Sequence, residues 1–116
     1  MDERLEKKRF NRYRALEAQR RLRLDDFVRA SMGLRQGREF MWWVLELAKV
    51  GRNPFTANAL TTSFNCGELN VGQQIQSHIM TVSPADYLQM LQERQEEQEN
   101  VEREFAEQSG PDDADD

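Results

Sequence analysis

The chain has 116 residues, room for one small domain. Its 38% apolar and 32% charged content is lean for a packed globule and points to polar flanks around a modest core. No apolar run is long enough to cross a bilayer, and the charged opening MDERLEKKRF lacks the apolar stretch of a secretory signal, so neither feature is expected.

The net charge of −5 hides a strong asymmetry. Residues 1–52 carry 14 Lys+Arg against 8 Asp+Glu, and residues 53–116 carry 2 against 13. A basic arm and an acidic tail are expected to meet different partners, or each other.

Residues 2–23 contain no Gly or Pro and are rich in helix formers. Leu5, Phe10, Tyr13 and Leu16 supply only a thin apolar stripe. Lys7, Lys8, Arg9, Arg12, Arg14, Arg20, Arg21 and Arg23 make the segment a candidate contact for DNA or an acidic partner, with Phe10 and Tyr13 interleaved. Contact of this kind with DNA is salt-sensitive and independent of base sequence. The plainer reading is a solvated helix balanced by Glu3, Glu6 and Glu17, or one paired with the acidic end. A helix so thinly apolar is marginal alone and is expected to order against a partner.

Leu24, Phe27, Val28 and Met32 then fall at helical spacing. Asp25 and Asp26 suit the first turn of a helix, and Gly33 suits its end. Residues 38–50, REFMWWVLELAKV, predict the strongest helix, with Phe40, Met41, Val44, Leu45, Leu47 and Ala48 on a wide apolar face. Trp42 and Trp43 point about 100° apart. One is expected in the core, and the other at the margin or against another subunit. Gly51 and Asn53-Pro54 predict a break.

Residues 51–63 read as a loop pinned by Phe55 and Leu60, with Thr62 or Ser63 capping the next helix. In that helix Gly67 and Gly72 have the G-x-x-x-x-G spacing of a phosphate loop. Gln73 and Gln74 stand where such a loop needs Lys and Ser/Thr, so no nucleotide site is expected. The glycines are better read as points of close helix packing, with Gly67 in the first turn and Gly72 on the same face as Ile75 and Ile79. His78 is the lone histidine and no partner is indicated by spacing. A hydrogen bond to the single Cys66 would span about three turns, so both read as structural.

Ser83-Pro84-Ala85-Asp86 predicts a helix start, from which Tyr87, Leu88 and Leu91 pack inward. The Glu/Gln-rich stretch 93–108 is expected to be helical and to project from the core, and the tail 109–116 to be disordered. Its acids lack the glycine turn of a calcium loop and read as a solvated face. The fold class expected is all-α: about four helices over 24–92, with a basic arm at 1–23 and polar extensions. So small a core would gain from self-association, and an oligomer is expected.

The ordered pattern Gly37-Arg38, Trp42, Leu45, Phe55, Asn58, Thr62, Phe64, Gly67, Asn70-Val71-Gly72 and Ile79, closed by Pro84, Tyr87 and Leu88, resembles a small family of virion structural proteins of short-tailed, Bordetella-phage-type bacteriophages. Relatives tend to carry a basic residue where this chain has Leu69. The resemblance implies a virion structural role and no known reaction. From it the chain is expected to be a non-enzymatic component that binds other virion proteins near the portal or inside the head, and possibly packaged DNA, without cofactor or metal. Trp42, Trp43, Phe55, Phe64, Gly67, Gly72, Ile75 and Tyr87 are the expected packing and interface residues. A scaffolding factor absent from the mature particle and a small DNA-binding regulator are the alternatives.

Overall fold

A computed structural model describes residues 2–109. They form four helices: α1 (Glu3–Met32), α2 (Arg35–Leu47), α3 (Ala59–Val82) and α4 (Pro84–Gln108), with no strand among the described residues. The all-α expectation holds. The expected disordered tail falls, but for Ser109, outside the described residues.

The basic arm and the 24–32 segment are one continuous helix. Nothing in the sequence breaks it: α1 has no Gly or Pro, Glu3 and Glu6 in its first turn and Arg29 in its last, and Gly33 directly after it. These charges complement the helix dipole at both ends. The α4 extension is held by a ladder of i,i+4 bonds in which Gln89, Gln92, Gln95 and Gln98 donate to Glu93, Glu96, Glu99 and Glu102. Such pairs support a helix that has nothing to pack on.

Three expected boundaries move. Helix α2 spans 35–47, and the chain turns through Lys49 and Gly51, both at positive φ, before Pro54. Helix α3 starts earlier than Thr62 or Ser63 because Asn58 caps it, its Oδ1 accepting from the Leu60 and Thr61 amides. Gly67 therefore lies beyond the first turn. The Thr62 hydroxyl instead accepts from the Thr56 amide at 2.9 Å, and Asn65 donates to the Pro54 carbonyl at 3.2 Å. The loop is pinned by these polar ties. Phe55 is 73% and Leu60 83% exposed, so neither reaches the core as expected. At the α3–α4 corner Ser83 caps by position, but its side chain makes no capping hydrogen bond.

Val28 and Met32 of α1, Met41 and Leu45 of α2, Ile79 of α3, and Tyr87 and Met90 of α4 form the buried core. Trp42, Val50, Ile75 and Val82 pack around it. Helices α2 and α3 pack on each other and on both long helices, whereas α1 and α4 hardly touch one another. The chain extends 88 Å along its longest axis.

Two glycines make this packing possible. A Cβ on Gly37 would sit 1.7 Å from the Ser31 carbonyl oxygen, so the α1–α2 corner closes only on a residue without a side chain. A Cβ on Gly72 would meet Ala48 Cβ and Val50 Cγ2, both at 2.6 Å. This is the close helix approach expected of Gly72, and its neighbours are the last residues of the α2 turn.

Candidate interaction surfaces

The core is locked by one ion pair. Arg38 Nη2 lies 2.7 Å from Glu93 Oε1, and Nε donates to both Glu93 oxygens at 3.0 and 3.2 Å. Arg38 Nη1 also donates to the Met32 carbonyl at 2.9 Å, satisfying one of the orphan acceptors at the end of α1. The two side chains keep only 8% and 11% of their exposure. The Arg38 hydrogen bonds hold the Glu93 carboxyl below its ordinary value, against the opposing effect of burial. The same contacts raise Arg38 above its own. Arg38 was named in the sequence only as part of a motif, and Glu93 only as an acid on a solvated face. The one sequence signal available was a charged residue on the core side of α2, beside Met41 and Leu45.

His78 has a partner that its spacing on α3 did not reveal. Its Nε2 lies 3.0 Å from Asp25 Oδ1 on α1, although the alignment is not that of a hydrogen bond. The pair borders an apolar cleft of about 330 Å³ lined by Leu24, Phe27, Val28, Met41 and Ile79. No Cys, Ser or Thr lines this cleft, and the exposed Cys66 is about three helical turns away along α3. No cluster of metal-ligating side chains occurs among the described residues.

The expected packing and interface residues divide into two groups. Tyr87 and Gly72 are buried, and Trp42 and Ile75 pack against the core. The Tyr87 hydroxyl accepts from Gln76 Nε2 at 2.7 Å. Trp43, Phe55, Phe64 and Gly67 contribute nothing to the core. Trp43 is 54% and Phe64 67% exposed, and no atom lies within 4 Å of where a Gly67 Cβ would be. On α4 Met90 joins Tyr87 in the core, rather than Leu88 or Leu91, both of which are exposed.

The exposed residues are not scattered. On α2, Phe40, Trp43 and Leu47 lie opposite Met41 and Leu45 at helical spacing, and the Phe40 and Trp43 rings approach at 5.7 Å. The helix is apolar on two opposite faces, and only one is covered. A helix apolar all round is normally buried all round. On α3, Leu60, Phe64, Gly67 and Val71 follow the four–three–four spacing of a packing seam, yet this seam faces solvent.

The basic arm is a third open surface. Lys7, Lys8, Arg9, Arg12, Arg14, Arg20, Arg21 and Arg23 are all exposed, and none forms an ion pair among the described residues. Glu3, Glu6 and Glu17 share the solvated helix with these bases without direct ion pairs to them. Arg14 sits over the Phe10 ring at 5.8 Å. No helix among the described residues is long and apolar enough to cross a membrane.

The family model described as Bbp19-like phage protein matches residues 28–92. That span contains every position on which the sequence resemblance rests, from Gly37 to Leu88. No curated protein and no solved structure matches the chain.

Proposed function

This chain belongs to the Bbp19-like phage protein family, and on that premise we propose that it is a non-enzymatic structural component of the virion. It binds other virion proteins near the portal or inside the head. The observation that carries this reading is the second apolar face of α2. Phe40, Trp43 and Leu47 form an aromatic and aliphatic patch on a rigid helix, the composition of a protein–protein interface centre. The open α3 seam adds a second docking face. An Asp25–His78 pair without a nucleophile in the adjoining cleft fits a structural role better than a catalytic one.

Quantitative mass spectrometry of purified virions, before and after DNA ejection, tests the proposal. A constant copy number in the intact particle is the expected result. Loss on ejection would place the protein inside the head or among ejected components, and retention would place it at the portal or head wall. Absence from both particles would refute the virion role and favour an assembly factor that leaves before maturation.

A further inference from the structure

The packing seam of α4 does not stop where the core stops. Tyr87, Leu91, Arg94, Gln98, Val101 and Phe105 are spaced four, three, four, three and four, the heptad spacing of a helix that packs on another helix along its whole length. Intrachain cover runs from Tyr87 to Arg94, whose side chain keeps 20% of its exposure, and fades beyond it. Val101 is 56% and Phe105 70% exposed. At the foot of the open part, Trp42, Leu91, Arg94, Gln98 and Val101 line a groove of about 450 Å³ between α2 and α4.

We propose that the acidic extension of α4 is the docking surface for the basic arm of a second copy of this chain, in a reciprocal two-fold dimer. Charge selects the occupant. Residues 93–108 carry seven acids and two bases, and residues 2–23 carry nine bases and four acids, so the two segments have net charges of −5 and +5. Glu97, Glu102 and Glu104 flank the α4 seam, where charges set partner choice in paired helices. On the arm, Arg9, Arg12 and Arg14 flank Phe10 and Tyr13.

The apolar parts match as well. Phe10, Tyr13 and Leu16 recur every three residues on one side of α1, and all three are exposed. They and Leu5 extend over about 16 Å, against about 21 Å from Leu91 to Phe105. The arm does not reach the extension of its own chain. Both are ends of continuous helices, and α1 and α4 make little contact. Two copies related by a two-fold axis form the same contact twice, which closes the assembly. The α2 outer face and the α3 seam stay free for other proteins, so this inference does not depend on where the protein sits in the virion.

The test is light scattering on the full-length protein, with two charge-reversed variants. The first is Arg9→Glu, Arg12→Glu and Arg14→Glu together, and the second is Glu97→Lys, Glu102→Lys and Glu104→Lys together. All six positions are surface positions outside the core, and circular dichroism verifies that each variant is folded. The unaltered chain is expected to have twice the chain mass at low salt and the single mass near 1 M salt, where the screening length is about 3 Å. Each variant alone is expected to dimerise at least ~100-fold more weakly, because every reversal exchanges an attraction for a repulsion. Mixing the two variants restores both contacts, so dimers should reappear in the mixture only. A monomeric unaltered chain at about 100 µM and low salt, well above the dissociation constant of a standard interface, overturns the proposal. So does a mixture that stays monomeric. If both variants remain dimeric and only the arm variant loses affinity for a random DNA duplex, the arm's partner is nucleic acid and the proposal fails.

Discussion

Glu93→Ala probes the contact that joins three helices. The substitution removes the carboxylate that receives three hydrogen-bond or ion-pair contacts from Arg38, at 2.7 to 3.2 Å. It leaves a guanidinium with 8% of its side-chain exposure and only the Met32 carbonyl as a partner. Removing one member of a buried pair costs about 3–5 kcal/mol, because the survivor stays charged and desolvated. Total stabilities are about 5–15 kcal/mol, and a core of seven buried apolar side chains belongs near the lower end. The variant should therefore be close to unfolding at room temperature. Urea denaturation followed by circular dichroism measures the loss. The double variant Arg38→Met with Glu93→Leu separates the stranded charge from the lost packing. It should recover most of the stability, less about 1–3 kcal/mol for the Met32 carbonyl that loses its donor. A loss below about 1 kcal/mol for Glu93→Ala alone would mean that Arg38 finds water easily, and the three-helix lock would be refuted.

The same pair predicts acid sensitivity. The folded-state value of Glu93 lies below its unfolded value of 4.5, so its stabilisation is complete above that value and is lost as pH falls through the folded one. Melting temperatures measured from pH 6 downward should drop in that window, and the drop should shrink in the double variant. Gly37→Ala should destabilise by about 1–3 kcal/mol or more, since the Ser31 carbonyl at 1.7 Å has to move, and a thermal melt equal to the unaltered chain's would contradict it. Gly67→Ala should do the opposite in the isolated chain, adding about 0.5–1 kcal/mol, because the helix gains a better former where space is open. Trp43→Ala should change the unfolding free energy by less than about 1 kcal/mol, not the roughly 3–5 of a buried tryptophan, while lowering the amount of protein incorporated into particles.

What could be read from the sequence was the local chemistry of the chain. Ser83-Pro84 marked the start of α4, the apolar run around Met41 and Leu45 marked α2, and Gly72 on the Ile75–Ile79 face marked a close approach. The Asn58 cap was missed because Thr62 and Ser63 offered equally good capping chemistry nearby. Their competition was settled by the loop, whose Thr56 amide takes the Thr62 hydroxyl. The Arg38–Glu93 pair was beyond reach for another reason. Its members are 55 residues apart, and although Arg38 falls on the core side of α2, nothing in the sequence singles out Glu93 from the other acids of α4 until the folded chain brings the two together.

The harder failure concerns the apolar stripes, and it bears on function. Periodicity shows that a helix has an apolar face but not what covers it. In α2 both faces carry large side chains, and the fold uses Met41 and Leu45 while leaving Phe40, Trp43 and Leu47 to solvent. In α3 the Leu60–Val71 seam and the Ile75–Ile79 face follow similar spacing, and only the second is used. A chain shaped only for its own stability would carry polar residues at Trp43 and Phe64 and alanine at Gly67, since each change costs the isolated fold little or stabilises it. Under the proposed function, residues that fit a packing seam and do nothing for the monomer serve contacts with other proteins. Within the chain Trp43, Phe64 and Gly67 do not serve as packing residues, and a role for them against other proteins belongs to the proposed function. The measurements that separate the two are those in which the isolated protein tolerates a substitution and the particle does not.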